Sequence, residues 1–466
     1  MTEPIPATPP ATPGATADTS TTASTSGDNA TGATTLTGML RTLPGYRYLL
    51  AARGISSVIV WIDFTLIFSS LTYFWHASAA TVGMASALYG LPGLLLGPWF
   101  GRLADRQDAL SVLLGSYTVR GATSLLLVFA PDVDVFVLLV FFKGLGNLGA
   151  MPAEQIVVRS MLNRGQLVAN ASIMTALDQL TKISAPLLGA LTASLFSPVA
   201  GFGLSAVLSL GGLALLIRLR RHCPSRTWQR LTRPAAAQTS VLRRLLRDDA
   251  TFRAVFVVSL IQTAVLGLYD PLLALFLKGL GFPVSTFGTL VSCTAAGAIL
   301  GAVLFRRLFS RFAAQGLAFA SLTGFGLTVL IPGLATLPGL SLAGPAGFVG
   351  SAVTWTVLLA LWVANGCFYG LSAMSFIVVM QTRCPHAALG SVSATARSAQ
   401  LALLVLGPLA GSAAVRWIGL EAVFAASGLL AILCGSALML ARGRLIARCA
   451  GPRDTGSSAD RSGPAG

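Results

Sequence analysis

Seven charged residues inside long apolar runs stand out as candidates: Asp63, Arg120, Lys143, Asp178, Lys182, Asp270 and Arg397. A charge at the centre of a bilayer costs about 2.5–3.5 kcal/mol, so each of them needs a partner or a task. Asp178 and Lys182 are four residues apart on one helical face, acid first, which is the favourable order for an ion pair. That spacing fits a static pair or one that opens as the protein works. Asp63 has no opposite charge three or four residues away, so it is a lone carboxyl suited to carry a proton, or a structural partner for Arg120. Lys143 is expected to face a cavity or a neighbouring acid. Asp270 precedes Pro271, where a helix kinks or ends. Asn147, Gln262, Asn365, Tyr369 and Gln400 are polar spots suited either to a cavity wall or to bonds between helices.

These side chains can act only if long apolar helices position them. The chain has 466 residues, 54% hydrophobic and 10% charged, with a mean hydropathy of +0.75. Soluble domains carry about a quarter of their residues as Asp, Glu, Lys and Arg, so much of this surface faces something other than water. A bilayer core takes about 20 apolar residues per helix. Twelve such runs are expected, near 48–71, 82–100, 110–130, 134–157, 168–194, 198–217, 252–276, 285–305, 313–334, 351–380, 388–414 and 419–441. The fold class is an all-α membrane protein.

The net charge of +16 does not indicate nucleic acid, because the basic residues lie between the apolar runs, in alternate gaps. Gaps after even-numbered runs hold Arg102 and Arg106, Arg159 and Arg164, the cluster from Arg218 to Arg253, Arg306, Arg307 and Arg311, Arg383, and the tail from Arg442. Gaps after odd-numbered runs hold Lys278 and Arg416. Positive-inside logic places both termini and the basic loops in the cytoplasm. The expected division is a disordered tail over 1–44, a six-helix bundle over 45–217, a basic linker over 218–251, a second six-helix bundle over 252–441, and a tail over 442–466. The linker is read as a solvated topology determinant, with anionic lipid headgroups as its alternative contact.

Other chemistries lack their residues. The six cysteines show no CxxC spacing, and His76, His222 and His386 all fall between runs, so no metal cluster is expected. No lysine is followed by Ser or Thr, which excludes a GxxxxGK[ST] phosphate loop. No cofactor and no enzyme activity are expected.

The two halves echo each other. "SAPLLGA" (Ser184–Ala190) returns as "LGPLAGS" (Leu406–Ser412), and "VVRSML" near Val157 as "VVMQTR" near Val378. "GRLADR" (Gly101–Arg106) aligns with "RRLFSR" (Arg306–Arg311). Duplicated membrane units of this kind place a substrate site at their interface, near the midplane.

Twelve runs in two halves, with "GRLADR" after the second, resemble the major facilitator superfamily across about residues 45 to 441. The stretch "MPAEQIVVRSMLNRGQLVANAS" (Met151–Ser172) followed by "APLLGA" is similar to its drug-exporter branch, which includes macrolide and enterobactin exporters. The resemblance implies two pseudo-symmetric six-helix halves. It also implies a cytoplasmic gate at Gly101, Asp105 and Arg106, with Arg159 or Arg164 as candidate partners of Asp105. The loop departs from the family pattern after Arg106, giving Gln107, Asp108, Ala109 and Leu110. The function expected on this basis is proton-coupled export of small amphipathic molecules by a monomer in the cell membrane, with Asp63 carrying the proton. An importer or lipid flippase on the same scaffold is the alternative.

Overall fold

In the computed structural model the described residues are 36–43, 45–148, 150–223, 239–337, 352–385 and 388–449. Residues 1–35 and 450–466 of the expected tails, the middle of the linker and His386 fall outside them; within the tail expected to be disordered, Leu36–Thr42 form a helix, and the last helix runs on to Cys449. Among the described residues there is no strand.

The helices are α1 (Leu36–Thr42), α2 (Tyr46–Ser69), α3 (Ala79–Arg106), α4 (Ala109–Val128), α5 (Val133–Leu148), α6 (Ala150–Met161), α7 (Arg164–Leu195) and α8 (Pro198–His222). The second half continues with α9 (Thr239–Asp248), α10 (Ala250–Tyr269), α11 (Leu273–Gly279), α12 (Val284–Phe309), α13 (Ala314–Ala335), α14 (Ala352–Arg383), α15 (Leu389–Ile418) and α16 (Leu420–Cys449). Each of the twelve expected runs is represented, the fourth by α5 with α6 and the seventh by α10 with α11. Eleven spans are long and apolar enough to cross a membrane by composition alone. The twelfth is α7, whose 32 residues include Asp178 and Lys182. Within the expected linker, α9 is an amphipathic helix, "TSVLRRLLRD". Its Val241, Leu242, Leu245 and Leu246 pack on the core, and Arg243, Arg244 and Arg247 are exposed.

Polar residues between the runs start the helices. The side chains of Ser78, Asp108, Ser197 and Asp249 accept the backbone N–H three residues on. Asn163 and Gln166 close a reciprocal capping box on α7. Asp108 therefore has a local structural task, and Arg220 lies 4.0 Å from its carboxylate.

Packing follows a two-fold pattern. In the first half α4 packs on α8, α3 on α5, and α2 on α7 and α8; in the second, α13 packs on α16, α12 on α14, and α10 on α15 and α16. The halves meet along α3 with α15 and α7 with α12, two contacts exchanged by the same pseudo-symmetry. The echoed motifs lie on these seams. A Cβ on Gly288 of α12 would approach Pro186 O to 2.4 Å, and one on Gly83 of α3 would approach Pro408 O to 2.6 Å. The prolines of "SAPLLGA" and "LGPLAGS" thus turn their carbonyls to a glycine of the opposite half.

The closest helix pair is α12 with α14. In a bilayer such pairs gain from packing and not from hydrophobicity, so small residues let the backbones approach. A Cβ on Gly366 would sit 1.9 Å from Thr294 O, and one on Gly297 would sit 2.0 Å from Val363 O. Overpacking costs about 1–3 kcal/mol where neighbours can give way, and here the neighbour is backbone. Gly366→Val is expected to lower the thermal unfolding midpoint in detergent by several degrees. Gly115→Ala, which meets nothing within 4 Å, is expected to leave the midpoint unchanged or raise it. Equal midpoints for the two variants would contradict this packing.

Candidate functional site

The apolar helices carry two charged assemblies, both in the first half. The deeper one joins α2, α4, α5 and α8. Lys143 Nζ lies 2.9 Å from Asp63 Oδ2, and both side chains are 0% exposed. Ser205 Oγ donates to Asp63 Oδ1 at 2.6 Å. Lys143 also donates to Ser124 Oγ and to Arg120 O. Arg120 turns the other way: it donates to Ser56 Oγ at 2.7 Å and Ser56 O at 3.1 Å, and its guanidinium lies over the Tyr117 ring. Tyr117 in turn donates to Ala52 O at 2.6 Å. The partner of Asp63 is therefore Lys143, and Arg120 is held by a hydroxyl and a carbonyl.

The second assembly joins α2, α6 and α7 and is partly exposed. Arg53 lies 3.2 Å from Glu154 Oε2 and 2.9 Å from Asp178 Oδ2. Ser57 Oγ donates to Asp178 Oδ1 at 2.5 Å. One arginine thus serves two carboxylates, of which Asp178 is 34% exposed and Glu154 10%. Asp178 is bonded to Arg53 in place of Lys182, whose ammonium instead lies 5.9 Å from the Trp61 ring centroid. Lys182 is within electrostatic reach of Asp178 and, on the opposite half, of Arg397. Neither Arg53 nor Glu154 was among the residues singled out from sequence. Glu154 lies in the stretch "MPAEQ" quoted there and Arg53 in the first apolar run, and an arginine one turn from a serine in an apolar helix was the available signal.

The second half contributes fewer charges. Asp270 opens a 3-10 turn, Asp270–Leu272, that interrupts the helix between α10 and α11 and packs against α3 and α15. Among the described residues its carboxylate forms no ion pair. Asn365 is 2% exposed and donates to Thr328 Oγ1 at 2.9 Å and Tyr269 Oη at 3.4 Å, an interhelical bond and not a cavity wall. Gln262 is likewise buried. Tyr369 is 37% exposed and Gln400 half-buried, so these two remain available to a cleft. Asn147 is half-buried and donates to Tyr89 Oη at 2.9 Å. Arg106 is exposed at the end of α3, and Arg159 is exposed on α6. The side chains of Gly101, Asp105 and Arg164 are outside the described residues.

Removing one member of a buried ion pair costs about 3–5 kcal/mol, because the other charge is left without compensation. Asp63→Asn is therefore expected to lower the thermal midpoint markedly, and Asp63→Asn with Lys143→Met to recover most of the loss. A double variant no more stable than Asp63→Asn would show that the pair is not what holds these helices.

Comparison with known proteins agrees with this architecture. Residues 54–343 match the family model described as Major Facilitator Superfamily. The chain is 25% identical over 404 residues to the uncharacterized MFS-type transporter YfiS of Bacillus subtilis (strain 168), covering 85% of this chain and 93% of that one. It is 26% identical over 271 residues to macrolide efflux protein A of Streptococcus pyogenes, 55% of this chain and 65% of that one. Among solved structures it is similar to the nucleoside transporter NupG, with a TM-score of 0.69 at 14% identity over 84% of this chain and 98% of that one. It is also similar to a bacterial homologue of the iron transporter ferroportin in its inward-facing state, with a TM-score of 0.63 at 17% identity over 86% and 99% of the two chains. Two six-helix halves related by pseudo-symmetry are thus the form taken here by a membrane transporter, and the chain belongs to the major facilitator superfamily.

Proposed function

We propose that this transporter exports small amphipathic molecules of drug, antibiotic or siderophore type in exchange for protons, by alternating access across the cell membrane. The observation that carries the coupling is the arginine shared by Glu154 and Asp178. Two carboxylates share one guanidinium, with the Lys182 ammonium within electrostatic reach of Asp178, and like charges this close favour a shared proton. The Asp178 side chain is 34% exposed, whereas Asp63 is sealed and already paired. Proton exchange is therefore assigned to Asp178, and Asp63 to holding the first half together.

The direction of opening supports the same reading. Three side-chain hydrogen bonds that join the halves, from Tyr73 to Phe282 O and from Lys278 to Thr72 O and His76, lie at the end away from the basic loops. With the basic loops in the cytoplasm, a bonded outer end fits a transporter that loads from inside. Export also accords with the similarity to a protein named for macrolide efflux.

Asp178→Asn mimics a permanently protonated carboxyl. In proteoliposomes it is expected to reduce proton-driven substrate movement to below about a tenth of the wild-type rate, while leaving substrate exchange without a gradient measurable. Gradient-driven transport at the wild-type rate by Asp178→Asn would rule the assignment out. Substrate accumulation inside right-side-out vesicles at the expense of the gradient would overturn export itself.

A further inference from the structure

The end of the molecule away from the basic loops is closed by a small set of contacts. The last turn of helix one is a π-helical turn, Ser70–Phe74, which follows α2 directly. Its carbonyls are taken in order: Trp75 N donates to Ser70 O at 2.9 Å, and Ala77 N to Leu71 O at 2.8 Å. The next carbonyl, Thr72 O, receives Lys278 Nζ from α11 of the opposite half at 2.7 Å. A cation at the carboxyl end of a helix is also favoured by the helix dipole. The same ammonium meets His76 Nδ1, which must then accept, with the ring proton on Nε2. Beside it, Tyr73 Oη donates to Phe282 O at 3.0 Å.

The closure has a cost at the same place. Ser69, Ser70 and Thr72 of helix one and Thr286 at the start of α12 have buried hydroxyls with no hydrogen-bond partner. Buried hydroxyls are normally satisfied, and water would satisfy these if the halves parted here. Desolvation thus pulls toward opening, and the bonds made by Lys278 and Tyr73 pull toward closure.

We propose that Lys278 is the tether of this gate: by seating its ammonium on the carboxyl end of helix one it sets the balance between the two orientations of the cleft. The role is a positioning one, and it holds whichever way substrate moves and whichever carboxylate takes the proton. Helix one can shed this contact without losing any of its own backbone bonds, so release is a local event.

The test is a distance measurement by pulsed electron paramagnetic resonance in nanodiscs, in a chain whose six native cysteines are replaced. One spin-label pair, Ala80→Cys with Ser285→Cys, reports the tethered end; another, Gln155→Cys with Gln381→Cys, reports the basic end. Lys278→Met is expected to move the first distribution to longer distances and the second to shorter ones, whereas Lys278→Arg keeps both near the parent. A general loss of structure would broaden both pairs without this reciprocal change. Distributions for Lys278→Met that superimpose on the parent, or that broaden without reciprocal movement, overturn the proposal. Should Lys278→Met not yield monodisperse protein, His76→Ala removes one of the two anchors and is expected to give a smaller shift of the same sign; no shift would equally overturn it.

Discussion

An apolar interior offers no water to a charge, and this constraint organises the first half of the molecule. Lys143 and Asp63 meet at the centre of that half, both fully buried, and each is completed by serines from two further helices. The pair therefore acts as a joint between α2 and α5, with Ser124 of α4 and Ser205 of α8 as its flanges. Arg120 extends the joint by bonding back to α2 at Ser56. A hydrophobic pairing of these helices would pack against any apolar neighbour, whereas this one is satisfied in a single arrangement.

The second half is held differently. Its charges are few, and its helices close on one another through glycines whose missing side chains let backbones touch, as at Gly366 and Gly297. Asn365 adds one interhelical bond among Tyr269 and Thr328. Polar chemistry thus concentrates on the first half, and backbone contact on the second. A rocking transporter needs both halves to move as bodies, and both modes of packing supply rigidity.

Between the halves the contacts are of another kind. Along α3 with α15 and α7 with α12 a proline carbonyl faces a glycine, so these seams bring backbone against backbone. Lys278 and Tyr73 add polar bonds between the halves at one end. A seam that slides and a bonded end that releases are what alternating access requires mechanically.

Much of this was legible in the chain. Apolar runs of bilayer length specify the helices, because in lipid each segment must satisfy its own backbone. The recurrence of "SAPLLGA" as "LGPLAGS" marked the duplication and also its seams. Seven charged residues stood out within the apolar runs, although Arg53 and Glu154, in the same runs, did not. Their partners were another matter. Asp178 and Lys182 satisfy the spacing rule of a helical ion pair, yet Asp178 bonds to Arg53, 125 residues away in the chain, and Lys182 turns to Trp61. Asp63 could be matched with Arg120 or Lys143 on sequence grounds, and Lys143 is the one that faces it. Spacing along a helix determines which residues share a face, but the neighbour of that face is set by how the helices pack. Sequence determined which charges must be compensated; only the tertiary structure decided by what, because those distances run between helices far apart in the chain.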